Sequence, residues 1–122
     1  MKTVAVIGAS SDRTKFSNKS VRAHLKAGFT VYPVHPRETE IEGLPVFRSI
    51  RDVPDPLDRV TLYIPPGAGL MIIDDIANKH PKELFFNPGS ENPELLKRAR
   101  GLGLNAIEAC SIVDLGFHAA DL

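Results

Sequence analysis

Val4-Ala5-Val6-Ile7-Gly8-Ala9-Ser10-Ser11-Asp12-Arg13 is the stretch on which the reading of the fold turns. Its first four residues are apolar and mostly β-branched, the signature of a strand covered on both faces, as in parallel sheets. The run stops at Gly8, and a helical pattern begins near Ser17. A strand that ends at a glycine ahead of a helix N-terminus leaves backbone N–H groups converging on one spot, where the helix dipole also favours an anion. Residues 8–15 therefore read as a phosphate-binding loop, with Ser10, Ser11, Arg13 and Lys15 as donors. Against the dinucleotide fingerprint G-x-G-x-x-G, only the first glycine is present, because Ser10 and Arg13 hold the second and third places. A lone glycine turn also suits a purely structural role, and the loop by itself does not separate the two readings.

The 122 residues suit one domain with one core. Fifteen basic residues balance fifteen acidic ones, so the chain lacks the broad positive field of a nucleic-acid binder, and any anion site must be local. The single cysteine, Cys110, rules out an internal disulfide framework, and four scattered histidines show no zinc-ligand spacing, so no metal site is expected. No leader pattern and no run of about 18 apolar residues is seen, which predicts a cytoplasmic protein with no membrane partner.

Beyond the loop, Val21, His24, Leu25 and Gly28 follow one helical face, with Ser17 as the expected N-cap and Gly28 closing the helix. Thr30-Val31-Tyr32-Pro33-Val34 reads as a second strand delivering His35, Pro36 and Arg37 to the sheet's carboxyl edge. Residues 38–56 form a long polar connection with an extended piece at Val46-Phe47 and a helical turn from Ile50 to Val53. A third main strand covers residues 59–64, ended by Pro65-Pro66-Gly67, and a helix follows on Leu70, Ile72, Ile73, Ile76 and Ala77. Leu84-Phe85-Phe86 is a short fourth strand running into Asn87-Pro88-Gly89-Ser90. Asn92 as N-cap with Pro93 at the first helical position starts the next helix, and Ala106-Ile107-Glu108-Ala109 makes a fifth strand with Cys110 at its end. Residues 111–122 are too short for another layer and are expected to cap the sheet edge or meet a partner.

Strands alternating with helices predict a Rossmann-like, doubly wound parallel sheet of five main strands, order 3-2-1-4-5, in a single α/β domain over residues 1–122. In that fold the loops after strands one to four share one edge, where ligands bind. The loop after strand two carries His35 and Arg37 where an NAD enzyme would place an acid for the ribose. A basic pair suits a phosphorylated ribose, as in NADP or coenzyme A (CoA), although Glu38 and Glu40 keep NAD in view.

Val4-Ala5-Val6-Ile7-Gly8-Ala9-Ser10, then Asp12-Arg13, Lys15, Ser17-Asn18-Lys19 and Tyr32-Pro33-Val34-His35-Pro36-Arg37, together resemble the small stand-alone CoA-binding protein family. That family is similar to the N-terminal domain of the succinyl-CoA synthetase alpha subunit. The resemblance covers essentially the whole chain and includes a cysteine after the last strand, here Cys110. It implies that Gly8, Ala9, Ser10, Ser11, Arg13 and Lys15 hold the diphosphate and that Val34, His35, Pro36 and Arg37 lie by the adenosine. Pro65, Pro66, Asn87, Pro88 and Gly89 would border the pantetheine arm. This chain departs from many relatives by His35 in place of Asn, and by Ile64-Pro65-Pro66 in place of a different, often arginine-containing sequence.

The remaining polar residues have ordinary readings. His24 reads as a helix-face residue, His80 and His118 as solvated, and Asp74-Asp75 as the polar side of a helix. Cys110 reads as a small buried side chain or, at the carboxyl edge, as a thiol able to exchange with that of CoA. The expected function is non-catalytic binding of coenzyme A or an acyl-CoA. An NADP-binding reductase fragment, a ligase subunit that needs a partner, and an interaction protein without a ligand are the alternatives, and a homodimer stays open.

Overall fold

The computed structural model describes residues 2–122. Five strands, β1 (Thr3–Ile7), β2 (Thr30–Val34), β5 (Arg59–Leu62), β6 (Glu83–Phe86) and β7 (Ala106–Glu108), form one parallel sheet in the order β2-β1-β5-β6-β7. The Val46-Phe47 piece adds a parallel bridge outside β2, where Phe47 N donates to Pro33 O (2.9 Å) and His35 N donates to Phe47 O (2.9 Å). With that remnant counted as the third strand, the sheet runs 3-2-1-4-5-6, which extends the Rossmann-like order 3-2-1-4-5 by β7 at the far edge. Residues 59–62 thus take the fourth place, on the far side of β1, and not the third place that sequence reading gave them. The third strand stays vestigial because Pro45 precedes it and a 3-10 turn at Ile50–Asp52 follows it.

The connection after β2 also contains a small hairpin, β3 (Glu40–Ile41) with β4 (Leu44–Pro45), turned by Glu42 and Gly43 at positive φ. Sequence reading passed over it, although a glycine between two short apolar pieces is a hairpin signal.

Helix α1 (Phe16–Lys26) starts one residue before the expected N-cap. The Asp12 carboxylate accepts the Thr14 N–H (3.0 Å) and hydroxyl (2.7 Å), and Lys15 N donates to Asp12 O (3.1 Å), so this turn brings the chain into the helix at Phe16. Ser17 is buried inside the helix, and Lys15 caps without a side-chain bond. Helix α2 (Pro66–Asn78) has Pro66 in its first turn, and α3 (Pro93–Gly101) is capped as expected, with Asn92 Oδ1 accepting from Leu95 N (2.8 Å). A short α4 (Ser111–Asp114) follows β7 and packs against α1.

The two sheet faces differ in chemistry. Ala5, Ile7, Val60, Leu62, Leu84 and Phe86 point into an apolar core closed by Ile73 and Ile76 of α2 and Leu95, Leu96 and Ala99 of α3. Each such large side chain, fully buried, stabilises the fold by roughly 1.5–3 kcal/mol. On the opposite face Val4, Val6 and Val31 meet Val21 of α1, while Thr61 and Arg59 are buried with Ser20, His24 and Ser111 in a polar layer. Among the described residues no helix is long and apolar enough to cross a membrane.

Candidate functional site

The chain leaves β1 for β2 on one side and later returns to β5 on the other, so the switch point lies at the carboxyl ends of β1 and β5. Gly8 sits there at φ +82°, and a Cβ on it would lie 2.7 Å from Tyr63 O and 2.8 Å from Ile64 Cγ2. Only a glycine allows the strands' ends to approach this closely. The backbone N–H groups of Gly8 and Ala9 both donate to Val34 O (3.0 and 3.2 Å), and Tyr63 N donates to Ile7 O (2.9 Å). These bonds tie three strand ends together, and they occupy N–H groups that sequence reading offered to a phosphate.

Two cavities open beside this junction and share Tyr63 and Ile64 in their walls. The larger, about 510 Å³, includes Gly8, Val34, His35 and Pro36 from the expected site, together with Arg48, Ser49, Ile50 and Met71. The smaller, about 400 Å³, includes Pro65, Asn87, Pro88 and Gly89, together with Phe16, Ser90 and Cys110. Both volumes fall in the range of small-molecule sites, roughly 300–1,000 Å³. Ala9 is buried, and Ser10, Ser11, Arg13, Lys15, Arg37 and Pro66 line neither cavity.

The reason lies partly in acidic side chains that sequence reading left out of the loop. The Glu38 carboxylate accepts the Ser11 N–H through both oxygens (3.1 and 3.0 Å), and bonding to Ser11 holds its carboxyl below the usual carboxylate range. Glu42 pairs with Arg13 (3.4 Å) and accepts from Asn18 Nδ2 (3.2 Å), which also donates to Ser10 O (2.9 Å). Arg22 then fixes Asn18 Oδ1 (2.8 Å) and Arg13 O (2.9 Å), so the loop is shaped by its own neighbours.

His35 has an equally defined task. Its Nδ1 accepts both Arg37 N and Glu38 N (3.1 Å each), which places the proton of the neutral ring on Nε2. An Asn side-chain oxygen performs the same service in an Asx turn, so imidazole can stand in for an amide there. The turn it forms sets Glu38 against Ser11.

Under the smaller cavity lies a hydrogen-bonded cluster. Asn87 Nδ2 donates to Thr61 Oγ1 (2.6 Å) and Leu62 O (2.8 Å), while its Oδ1 accepts from Ser111 N (2.9 Å). The Ser111 hydroxyl also meets Thr61 (2.9 Å), Tyr63 (3.1 Å) and Ser20 (3.2 Å). Burial pushes the Tyr63 phenol above its ordinary pKa, against the hydrogen bond from Ser111. Asn87 is thus turned inward, joining β5, β6 and α4.

Residues 2–116 match the family described as CoA binding domain. The chain belongs to the CoA binding domain family. Over 64 residues it is 38% identical to the acetate–CoA ligase (ADP-forming) II subunit alpha of Pyrococcus furiosus, a match covering 51% of this chain and 14% of that protein. A conserved hypothetical protein from Pyrococcus furiosus superposes with a TM-score of 0.85 at 32% identity, covering 93% of this chain and 99% of that one. The dinucleotide-forming acetyl-coenzyme A synthetase 1 of Ca. Korarchaeum cryptofilum, solved with phosphate and ADP, gives a TM-score of 0.77 at 30% identity, covering 88% of this chain and 25% of that one. A CoA-binding domain of this size therefore spans only a small part of the ligase relatives that it matches.

Sequence reasoning missed Tyr63, Arg48, Met71 and Ser111. Met71 carried a signal, since it falls off the apolar stripe of α2 and is 85% exposed. Ser111 carried none, because its role depends on Asn87, Thr61 and Tyr63, all distant in sequence.

Proposed function

We propose that this chain is a binding module for coenzyme A or an acyl-CoA, with residues 1–122 acting as one domain. The observation that carries the reading is the pair of cavities meeting at Tyr63 and Ile64 on the switch-point edge. One long ligand, a nucleotide joined to a slender arm, suits two adjoining chambers better than a compact metabolite does. The adenosine end lies in the larger cavity, by Val34, His35, Pro36 and Arg48. The pantetheine arm passes Ile64 to the smaller one, by Pro65, Pro88 and Gly89. The diphosphate lies between them, near Gly8, where Lys15 and the uncapped start of α1 supply positive potential.

Arg48 takes over the part that sequence reading gave to Arg37, because it lines the larger cavity and Arg37 does not. Its guanidinium suits the ribose 3′-phosphate that distinguishes CoA from dephospho-CoA. His35 Nδ1, Tyr63, Asn87 and Ser90 at the cavity walls are tied into the fold, which supports binding and not chemistry as this chain's own contribution. The likeness to chains named as ligases favours a second reading, in which the module serves a larger ligase whose other parts perform the reaction.

Calorimetric titration of the Arg48→Ala variant tests the placement. CoA binding is expected to weaken by on the order of 1.5–3 kcal/mol, with a much smaller change for dephospho-CoA. Equal losses for the two ligands would remove the 3′-phosphate from this cavity.

A further inference from the structure

The smaller cavity has no charged side chain among the described residues of its wall. Its polar side chains are already engaged: Asn87 with Thr61, Leu62 and Ser111, Tyr63 with Ser111, and the Ser90 hydroxyl donating to Asn87 O (2.7 Å). The rest of the lining is Phe16, Ile64, Pro65, Pro88, Gly89 and Cys110. Phe16 is 59% exposed at the very start of α1, a large aromatic surface left in water. Lys19 holds its ammonium 5.7 Å from the centre of that ring and donates to Ala119 O (2.9 Å), but it does not line the cavity.

A chamber of this kind recognises an apolar, uncharged group. It gains free energy for each methylene that leaves water, and its wall offers no charged side chain to pair with an ionised carboxylate, whose unpaired burial is strongly unfavourable. Pantetheine alone is polar along most of its length and would leave Phe16 with little to cover it. We propose that this cavity receives the acyl group of an acyl-CoA, an aliphatic chain ending in methyl, and discriminates against an acyl group that ends in a carboxylate. The inference rests on the CoA reading above and names the class of thioester that the site prefers. Phe16 and Ile64 then face the chain, and the thioester lies near Pro88 and Gly89.

The test is calorimetric titration of the full chain with CoA, acetyl-CoA, butyryl-CoA and succinyl-CoA. Affinity is expected to rise from acetyl- to butyryl-CoA by up to about fourfold per added methylene, the equivalent of ~0.8 kcal/mol each. Succinyl-CoA is expected to bind at least about tenfold more weakly than butyryl-CoA. Phe16→Ala should lower the butyryl-to-CoA affinity ratio, and Phe16→Leu should restore much of it. Equal affinity for the three thioesters, or a preference for succinyl-CoA, would overturn the inference while leaving CoA binding in place. Failure of CoA and of every thioester to bind would instead overturn the CoA reading, and this inference with it.

Discussion

Glu38 holds the Ser11 N–H through both carboxylate oxygens, and Glu42 holds Arg13, so two donors that the loop's composition offers to a phosphate are already in use in the free protein. A diphosphate that reaches Ser11 must displace Glu38 and bear its repulsion. Glu38→Gln is therefore expected to tighten CoA by several-fold, on the order of 1 kcal/mol, in the same titration with wild-type protein as reference. A weaker complex would show that Glu38 holds the ligand, as an acid holding a ribose would. At this scale the sequence was only partly legible. Gly8, Val34, His35 and Pro36 could be placed on one cavity wall because they lie at or just beyond the ends of β1 and β2. The occupation of Ser11 and Arg13 could not, since it depends on how a connection of irregular structure folds back over the loop.

Among the elements, the turn from β1 into α1 has the least freedom. Gly8 has a positive φ, and only 2.7 Å would separate a Cβ there from Tyr63 O, so any side chain must push β1 and β5 apart. Gly8→Ala is expected to destabilise the chain by about 1–3 kcal/mol, read as a lower urea midpoint with an unchanged slope. An unchanged midpoint would show that the turn can relax. Periodicity and caps located α2, α3 and the five sheet strands, because each of these carries its own pattern. The hairpin of β3 and β4 and the short α4 were missed for the opposite reason. Two-residue strands and a single helical turn show no period, and α4 exists through Asn87 accepting Ser111 N and Arg59 pairing with Asp114 (2.9 Å).

Across the whole molecule, a buried polar layer couples α1, β5, β6 and α4. Arg59, 4% exposed, pairs with Glu83 (3.1 Å) and Asp114 and stacks 4.3 Å from the centre of the Phe85 ring. His24 is fully buried beside it. Its Nδ1–H donates to Ser20 O (2.8 Å), Nε2 faces Arg59 (3.4 Å), and the Phe29 ring packs edge-on at 5.0 Å. Burial, helped by the Arg59 charge, lowers the His24 pKa from 6.5 to about 4, against the opposing Ser20 bond and Asp114 charge. Between those values the unfolded chain binds the extra proton, so His24 supports stability above pH 6.5 and this contribution is lost as pH falls towards 4. The loss amounts to up to about 3 kcal/mol. Urea unfolding from about pH 7 to pH 4.5 should show it, and His24→Gln should flatten that part of the profile. An identical profile in the variant would place the acid sensitivity elsewhere. The doubly wound class was legible because alternating strands and helices leave few topologies. The extended piece at Val46-Phe47 was legible too, but its place beside β2 as a vestigial third strand was not, because a single bridging residue has no pattern to show its partner.

The central claim is that the two cavities form one site for coenzyme A. Calorimetric titration of the purified chain with CoA, with NADP and NAD as competitors, tests it most directly. The account predicts one CoA bound per chain, displaced by neither dinucleotide. Preferential binding of NADP, or no heat with any of the three, would contradict it.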